Sequence, residues 1–307
     1  MQRWKDVKAV VCCRFGERCV ALKWGDRVNA HLRRAFMKTL FKSASAVLLS
    51  LLSLLLAGAC NNVSAQVRLD AGLATVVDDL VAANRILVNQ GLIDGFGHVS
   101  ARSPVDPSHF FMARSIAPAF VTSTDIMEFD GDGKPIGLDT RVPHAERFIH
   151  SEIYKTHPEV KAIVHAHSPA VIAFGVANVA LRPVYHMSAF LGRGTPIFDT
   201  RDAARPSPET DLLVKTPALG AKLAEKLGNS SVVLMRGHGF TTVANSVPLA
   251  VFRAIYTDQN AHIQGDAMKL GVPRFLTDQE AAMAQATMEP LSIRAWEIWR
   301  RQAGLVP

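Results

Sequence analysis

Two short apolar runs in this chain end on histidine: Lys161-Ala-Ile-Val leads into His165-Ala-His167, and Ser231-Val-Val-Leu-Met leads into Arg236-Gly-His238-Gly. In an extended strand, residues i and i+2 point the same way, so His165 and His167 present two imidazoles to one point in space. A third imidazole at the end of another apolar strand, with a carboxylate such as Glu146 upstream, completes the three or four N/O ligands of a catalytic divalent metal that keeps a position for substrate. Each residue taken singly also has a plainer reading. A lone histidine beside a strand is commonly a hydrogen-bonded core or edge residue. Gly-His-Gly is also a plain turn, and Glu146 at a helix start is also a solvated carboxylate favoured by the macrodipole.

Charge and cysteine usage separate an N-terminal leader from the rest. Residues 1–65 hold eleven of the 34 Lys and Arg and three of the 27 Asp and Glu, which leaves 23 basic and 24 acidic residues in 66–307, a net charge of −1. The overall charge of +7 therefore belongs to the leader, and no nucleic-acid partner is expected of the remainder. Cys12, Cys13, Cys19 and Cys60 all lie in the leader too. Residues 66–307 then have no disulfide, no thiolate ligand and no cysteine nucleophile, so any metal must sit on His, Asp or Glu.

Within the leader, Met37-Lys-Thr-Leu-Phe-Lys42 reads as a basic n-region and Ala46 to Ala57 as a leucine-rich h-region. Val63-Ser64-Ala65 then supplies small residues for a cleavage site before Gln66. The expected organisation is a mis-assigned leader at 1–36, a signal peptide at 37–65 and one domain at 66–307. The product is exported and periplasmic, or cytoplasmic if the leader does not function. Lipoprotein processing at Cys60 is the competing reading and the one route to membrane association, although Ala57 is a poor residue where a larger aliphatic is usual. A retained anchor is disfavoured because the apolar stretch is short for spanning a bilayer.

From residue 66 onward, the pattern predicts a helix over 69–87 stopped by Gly91, then strands at His98–Ala101, Phe110–Arg114 and Ile126–Phe129. Asp130-Gly-Asp-Gly133 reads as a turn, since it lacks the ligand series and terminal Glu of a calcium loop. Pro143 predicts the start of a helix through Ala145–Tyr154. The strand Ala162–His165, a helix from Pro169, strands near Pro183–His186 and Pro196–Phe198, and a helix over Leu212–Leu227 follow. A buried strand at Ser231–Met235 and helices over Val247–Lys269 and Thr277–Arg301 end the series. One α/β domain is the economical reading.

The ordered motifs resemble the class II aldolase/adducin family: Glu146-(x3)-His150-(x2)-Ile153-Tyr154, then His157-Pro-Glu-Val-Lys-Ala-Ile-Val-His165-Ala-His167-Ser-Pro, then Met235-Arg-Gly-His238-Gly, from about Val76 to about Gln264. The resemblance implies a three-layer α/β/α sandwich with a mixed central sheet, commonly a homotetramer. It also implies that His165, His167 and His238 bind a divalent metal, often zinc, with manganese, cobalt or iron as alternatives, and that Glu146 serves as ligand or acid/base.

The departures from the family's sugar-phosphate aldolases bear on substrate. Their phosphate cradle uses Gly-Asn-[Val/Ile]-Ser, a Thr-Pro-Ser-Gly-like loop and a Pro-Ser-Ser-Glu-like run. This chain has Gly97-His98-Val99-Ser100, Ala113-Arg114-Ser115 and Pro143-His144-Ala145-Glu146. Imidazoles and a guanidinium in place of hydroxyls and amides argue for a carboxylate: the fork of Arg114 matches two oxygens, with Ser115, His98 and His144 flanking. Arg114 as a plain exposed strand residue is the alternative. His186, in Pro183-Val-Tyr-His186-Met, either lines the pocket or is structural.

The whole pattern looks most like a branch acting on aromatic or dienoic hydroxy-carboxylates, among them decarboxylases of dihydroxyphthalate-type compounds. The expected reaction is loss of carbon dioxide, with a chelated metal stabilising the resulting enediolate or dienolate and Glu146 or His186 delivering a proton. Retro-aldol cleavage of a non-phosphorylated hydroxy-keto acid is the rival within the fold. A non-catalytic adducin-like binding module is the rival from another class, and in it the ligand histidines are expected to be lost.

Overall fold

The computed structural model describes residues 71–203 and 210–305. The chain divides into two units, Met1–Ala65 and Gln66–Pro307. The expected leader, signal peptide and all four cysteines fall in the first and lie outside the described residues.

Seven strands form one sheet: β1 His98–Arg102, β2 Phe110–Ala113, β3 Ile126–Phe129, β4 Ala162–Ala166, β5 Ile197–Phe198, β6 Val232–Met235 and β7 Gly239–Ala244. Their order is β3-β2-β1-β4-β7-β6-β5, antiparallel throughout except for β5 against β6. The helices are α1 (71–89), α2 Arg147–Thr156, α3 Pro169–Ala177, α4 Thr200–Ala203, α5 Pro217–Leu227, α6 Val247–Leu270, α7 Asp278–Met288 and α8 Ser292–Gln302. Three of them start alike: Ser168, Thr216 and Ser246 each accept a backbone N–H of the first turn, and proline sits at the first or second helical position. At the end of α1, Gly91 takes φ +70° and lets Leu92 N–H reach back to the Leu87 carbonyl.

The pleat sorts the core into two layers. Ala162, Val164 and Ala166 of β4 join Val232, Leu234, Phe240 and Ala244 against α1, α3, α6 and α8. Ile163, Val233, Met235 and Val243 point the other way, to Ile149 and Ile153 of α2 and Leu223 and Leu227 of α5. The result is the three-layer α/β/α sandwich with a mixed sheet. His165 follows Ile163 by two residues, so it faces the α2/α5 layer.

Several element boundaries differ from the sequence pattern. Pro143 does not start α2; it bridges to Arg114, and Glu146 precedes the helix. The expected strand near Pro183–His186 does not form: Asn260 and Gln264 of α6 take up the backbone groups of Ala180, Arg182 and Val184, and a short 3-10 helix begins at His186. α5 begins at Pro217, five residues after Leu212, whose φ of +69° no helix accommodates. The last helix is two, because Pro290 lacks an N–H and a 3-10 turn at Glu289–Leu291 separates α7 from α8. β7, absent from the sequence reading, closes the sheet beside β4.

Candidate metal centre

β4 carries His165 at the centre of the sheet, opposite His98 of β1 on one side and Thr241 of β7 on the other. The chain leaves the strand at His167, one residue before the cap of α3. His238 sits in the tight turn from β6 to β7, where Gly237 takes φ +68° and His238 N–H returns to the Met235 carbonyl. Arg236 in the same turn donates to Asp199 at 2.6 Å, which ties the turn to the end of β5. Gly239 lies so close to β4 that a Cβ there would stand 2.2 Å from the Ala166 carbonyl oxygen and 3.0 Å from a His167 ring carbon. Only glycine lets His238 approach His167 this way.

Glu146 enters from the α2 layer, buried to 8% exposure. Its Oε1 accepts the Val214 N–H at 2.8 Å, and its Oε2 lies 3.4 Å from His238 Nε2 and 3.9 Å from His165 Nε2. The Nε2 atoms of His165 and His167 are 2.9 Å apart. One ligand atom from each of Glu146, His165, His167 and His238 falls within 4.8 Å of all the others.

Burial holds His165 well below the usual imidazole range, and it lowers His167 as well, each reinforced by neighbouring imidazoles. Neutral rings keep a lone pair for a cation. A donor set of three imidazole nitrogens and one carboxylate oxygen fits a divalent transition metal. His165 Nδ1 lies 3.3 Å from the Thr241 hydroxyl, a contact that orients the ring with Nε2 toward the cluster.

The other sequence candidates divide. His98 and His144 are brought to the cluster's flank: the His98 ring centroid is 4.9 Å from those of both His165 and His144. Burial pushes His144 down to about 4 and His98 well below the usual range. Arg114 stands on the strand segment bridged to Pro143, next to His144. Its Nε is taken by Asp125 at 2.7 Å, while its two terminal nitrogens have no protein partner among the described residues. Ser115 is exposed and uses its backbone N–H on the Val142 carbonyl. His186 is not brought to the cluster; it is exposed at the start of its 3-10 helix, beside the Tyr185 ring.

The sequence reading passed over His150, Ser100 and Tyr154 as functional groups. All three are buried and hydrogen-bonded behind His98. The signal was present: Glu146, His150 and Tyr154 recur at i, i+4 and i+8 on one face at α2, and His98 and Ser100 at i, i+2 on β1.

With this geometry in hand, comparison with known proteins is specific. The sequence profile of the Class II Aldolase and Adducin N-terminal domain matches residues 78–265. Decarboxylase tropJ of Talaromyces stipitatus is 37% identical over 247 residues, covering 74% of this chain and 93% of that protein. The 3,4-dihydroxyphthalate decarboxylase of Arthrobacter keyseri is 34% identical over 192 residues, 58% of this chain and 73% of that protein. Among solved structures, L-fuculose 1-phosphate aldolase from Glaciozyma antarctica PI12 superposes with a TM-score of 0.64 at 22% identity, covering 77% of this chain and 92% of that one, a likeness of fold. The chain thus belongs to the class II aldolase and adducin family, and within it to the lyases.

Proposed function

We propose that the protein is a divalent-metal-dependent decarboxylase of an aromatic or dienoic hydroxy-carboxylate. The observation that carries this reading is the convergence of Glu146, His165, His167 and His238 within 4.8 Å, in a chain related to named decarboxylases. His165, His167 and His238 are the residues that would hold the metal. When bound, it supplies Lewis-acid stabilisation to negative charge developing on substrate oxygens.

The chain's own groups do the rest. The free terminal nitrogens of Arg114 and the imidazoles of His98 and His144 bind and orient the substrate's oxygens, a carboxylate among them. The bond to the departing carboxylate breaks, carbon dioxide leaves, and the electron pair stays on carbon. Glu146 Oε2 takes the proton from a substrate hydroxyl on binding and hands it to that carbon after carbon dioxide has left, since Oε1 is engaged by Val214 N–H. His186, exposed and outside the cluster, has no part in this step.

The test is metal content and product analysis with 3,4-dihydroxyphthalate and related hydroxy-carboxylates. About one transition metal per chain with carbon dioxide released is the expected result. An aldehyde product without carbon dioxide would turn the reading to retro-aldol cleavage, and a chain that takes up no zinc or manganese would end it. In Glu146→Gln, metal should remain while turnover drops by ~10²–10⁴-fold; near-normal turnover would remove Glu146 from the chemistry.

A further inference from the structure

Behind the cluster, four buried side chains form one hydrogen-bonded file. The Tyr154 hydroxyl meets Ser100 Oγ at 2.8 Å, Ser100 Oγ meets His150 Nδ1 at 2.6 Å, and His150 Nε2 meets His98 Nδ1 at 2.7 Å. Each contact needs one hydrogen and one lone pair, and a hydroxyl or a neutral imidazole has a single hydrogen to give. A hydroxyl oxygen can also accept twice, so the file has three arrangements; two of them leave a buried hydroxyl hydrogen, that of Tyr154 or that of Ser100, without an acceptor, and the closed end selects the third.

That end is Tyr154. Its ring lies between Arg102, 4.6 Å from the ring centroid, and Phe110, and its hydroxyl meets no polar atom other than Ser100 Oγ among the described residues. If Ser100 gave its hydrogen to Tyr154, the phenol hydrogen would be buried with no acceptor, which carries the full desolvation cost of an unmatched donor. With Tyr154 donating, every hydrogen has a place: Tyr154 gives to Ser100, Ser100 to His150 Nδ1, and His150 Nε2–H to His98 Nδ1. His98 must then carry its own hydrogen on Nε2, an atom with no hydrogen bond to the protein among the described residues.

We propose that Ser100 and His150, in a file closed off by Tyr154, are positioning residues that lock His98 in its Nε2–H tautomer, so that it offers a neutral N–H donor to a substrate oxygen at the flank of the cluster. The lock also accounts for a selectivity within the histidines. His98 touches the ring of His165 yet stands outside the group of four convergent ligand atoms, and an Nε2 that bears hydrogen has no lone pair for a cation. The decarboxylase reading enters only in naming the acceptor as a substrate carboxylate or phenol oxygen.

Nitrogen-15 NMR of the histidine-labelled full chain tests the lock without any substrate, with His98→Asn identifying the His98 signals. Hydrogen on Nε2 and a bare Nδ1 are expected; hydrogen on Nδ1 overturns the proposal. In Ser100→Ala the two tautomers of His98 should both be present, and a folded variant that still shows pure Nε2–H would take the locking away from the file. If that variant does not fold, Tyr154→Phe serves. It leaves Ser100 its one acceptor, so His98 should stay Nε2–H, and a reversal would sink the donor accounting. The donor role is then read by titrating 3,4-dihydroxybenzoate. The His98 Nε2–H signal should shift as the probe saturates the signals of His165, His167 and His238, and saturation without that shift overturns the donor role. Carbon dioxide release, measured separately, is the test of the decarboxylase reading itself.

Discussion

The two faces of the central sheet use the same strands for opposite purposes. Toward α1, α3, α6 and α8 the sheet presents hydrocarbon, with Val99, Ala101, Val164, Ala166, Leu234 and Phe240 packed under Val251, Phe252, Ile255 and Trp296. Toward α2 and α5, hydrocarbon at Ile163, Val233 and Met235 gives way along β1 and β4 to His98, Ser100 and His165, all buried. Burial of polar groups is costly unless each finds a partner, and here the partners are Tyr154, His150, Thr241 and the cluster itself. One face is built for stability through contact area, the other for direction. Alternation along a strand allows one sheet to do both.

If the two faces are separable in this way, substitutions on them should fail differently. The largest effect is expected from His167→Ala, which removes one of three imidazole ligands. Metal content should fall to background by elemental analysis and turnover should drop by more than ~100-fold, beyond the range typical of residues that only support ligands. Retained stoichiometric metal would break the comparison at its functional side.

On the hydrocarbon face, Phe252 is 1% exposed, with its ring centroid 4.5 Å from Tyr256. Phe252→Ala should cost ~3–5 kcal/mol in urea unfolding, with the metal content of the folded fraction unchanged. Metal loss in step with this destabilisation would show that the faces do not act separately.

Gly239→Ala probes their junction. The added methyl meets the Ala166 carbonyl and the His167 ring, so we expect ~1–3 kcal/mol of lost stability together with a metal affinity lowered by ~10–100-fold. Stability lost at full metal affinity would place the strain in β7 alone.

The smallest effect concerns Asp79 of α1, which burial pushes up to about 6 against the pull of Arg300. A carboxyl whose native pKa lies above its unfolded value stabilises the fold least when ionised, so stability is lost as pH rises from about 4 through about 6. Asp79→Asn should abolish that slope, a difference of ~1 kcal/mol or less once solvent screening is allowed for. Parallel pH profiles for the two proteins would show that Asp79 does not titrate in this range.

How much was legible from the residues alone varies with the range of the interactions involved. The strand Ile126–Phe129 was readable because the turn residues Asp130-Gly-Asp-Gly133 follow it, and Ala162–Ala166, read as Ala162–His165, because it is a short apolar run. β7 was hidden: Gly239-Phe-Thr-Thr-Val-Ala244 opens on glycine and carries two threonines, and its burial on both sides comes from β4 and β6. Residues 183–186 suggested a strand that side chains on α6, more than seventy residues away, replaced with hydrogen bonds of their own. His186 follows on the same anchored segment and is exposed at the start of its 3-10 helix.

What the sequence determined by itself is the local chemistry. His165 and His167 two residues apart at the end of an apolar run, His238 within a glycine turn and imidazoles in place of a phosphate cradle all follow from bond geometry and residue type over a few positions. The tertiary structure decided what those groups meet. Val214 takes one oxygen of Glu146 across 68 residues, and the file from Tyr154 to His98 crosses between α2 and β1. Such contacts depend on how two layers pack, and side-chain reach of a few ångströms settles them only once the backbone elements have been brought together.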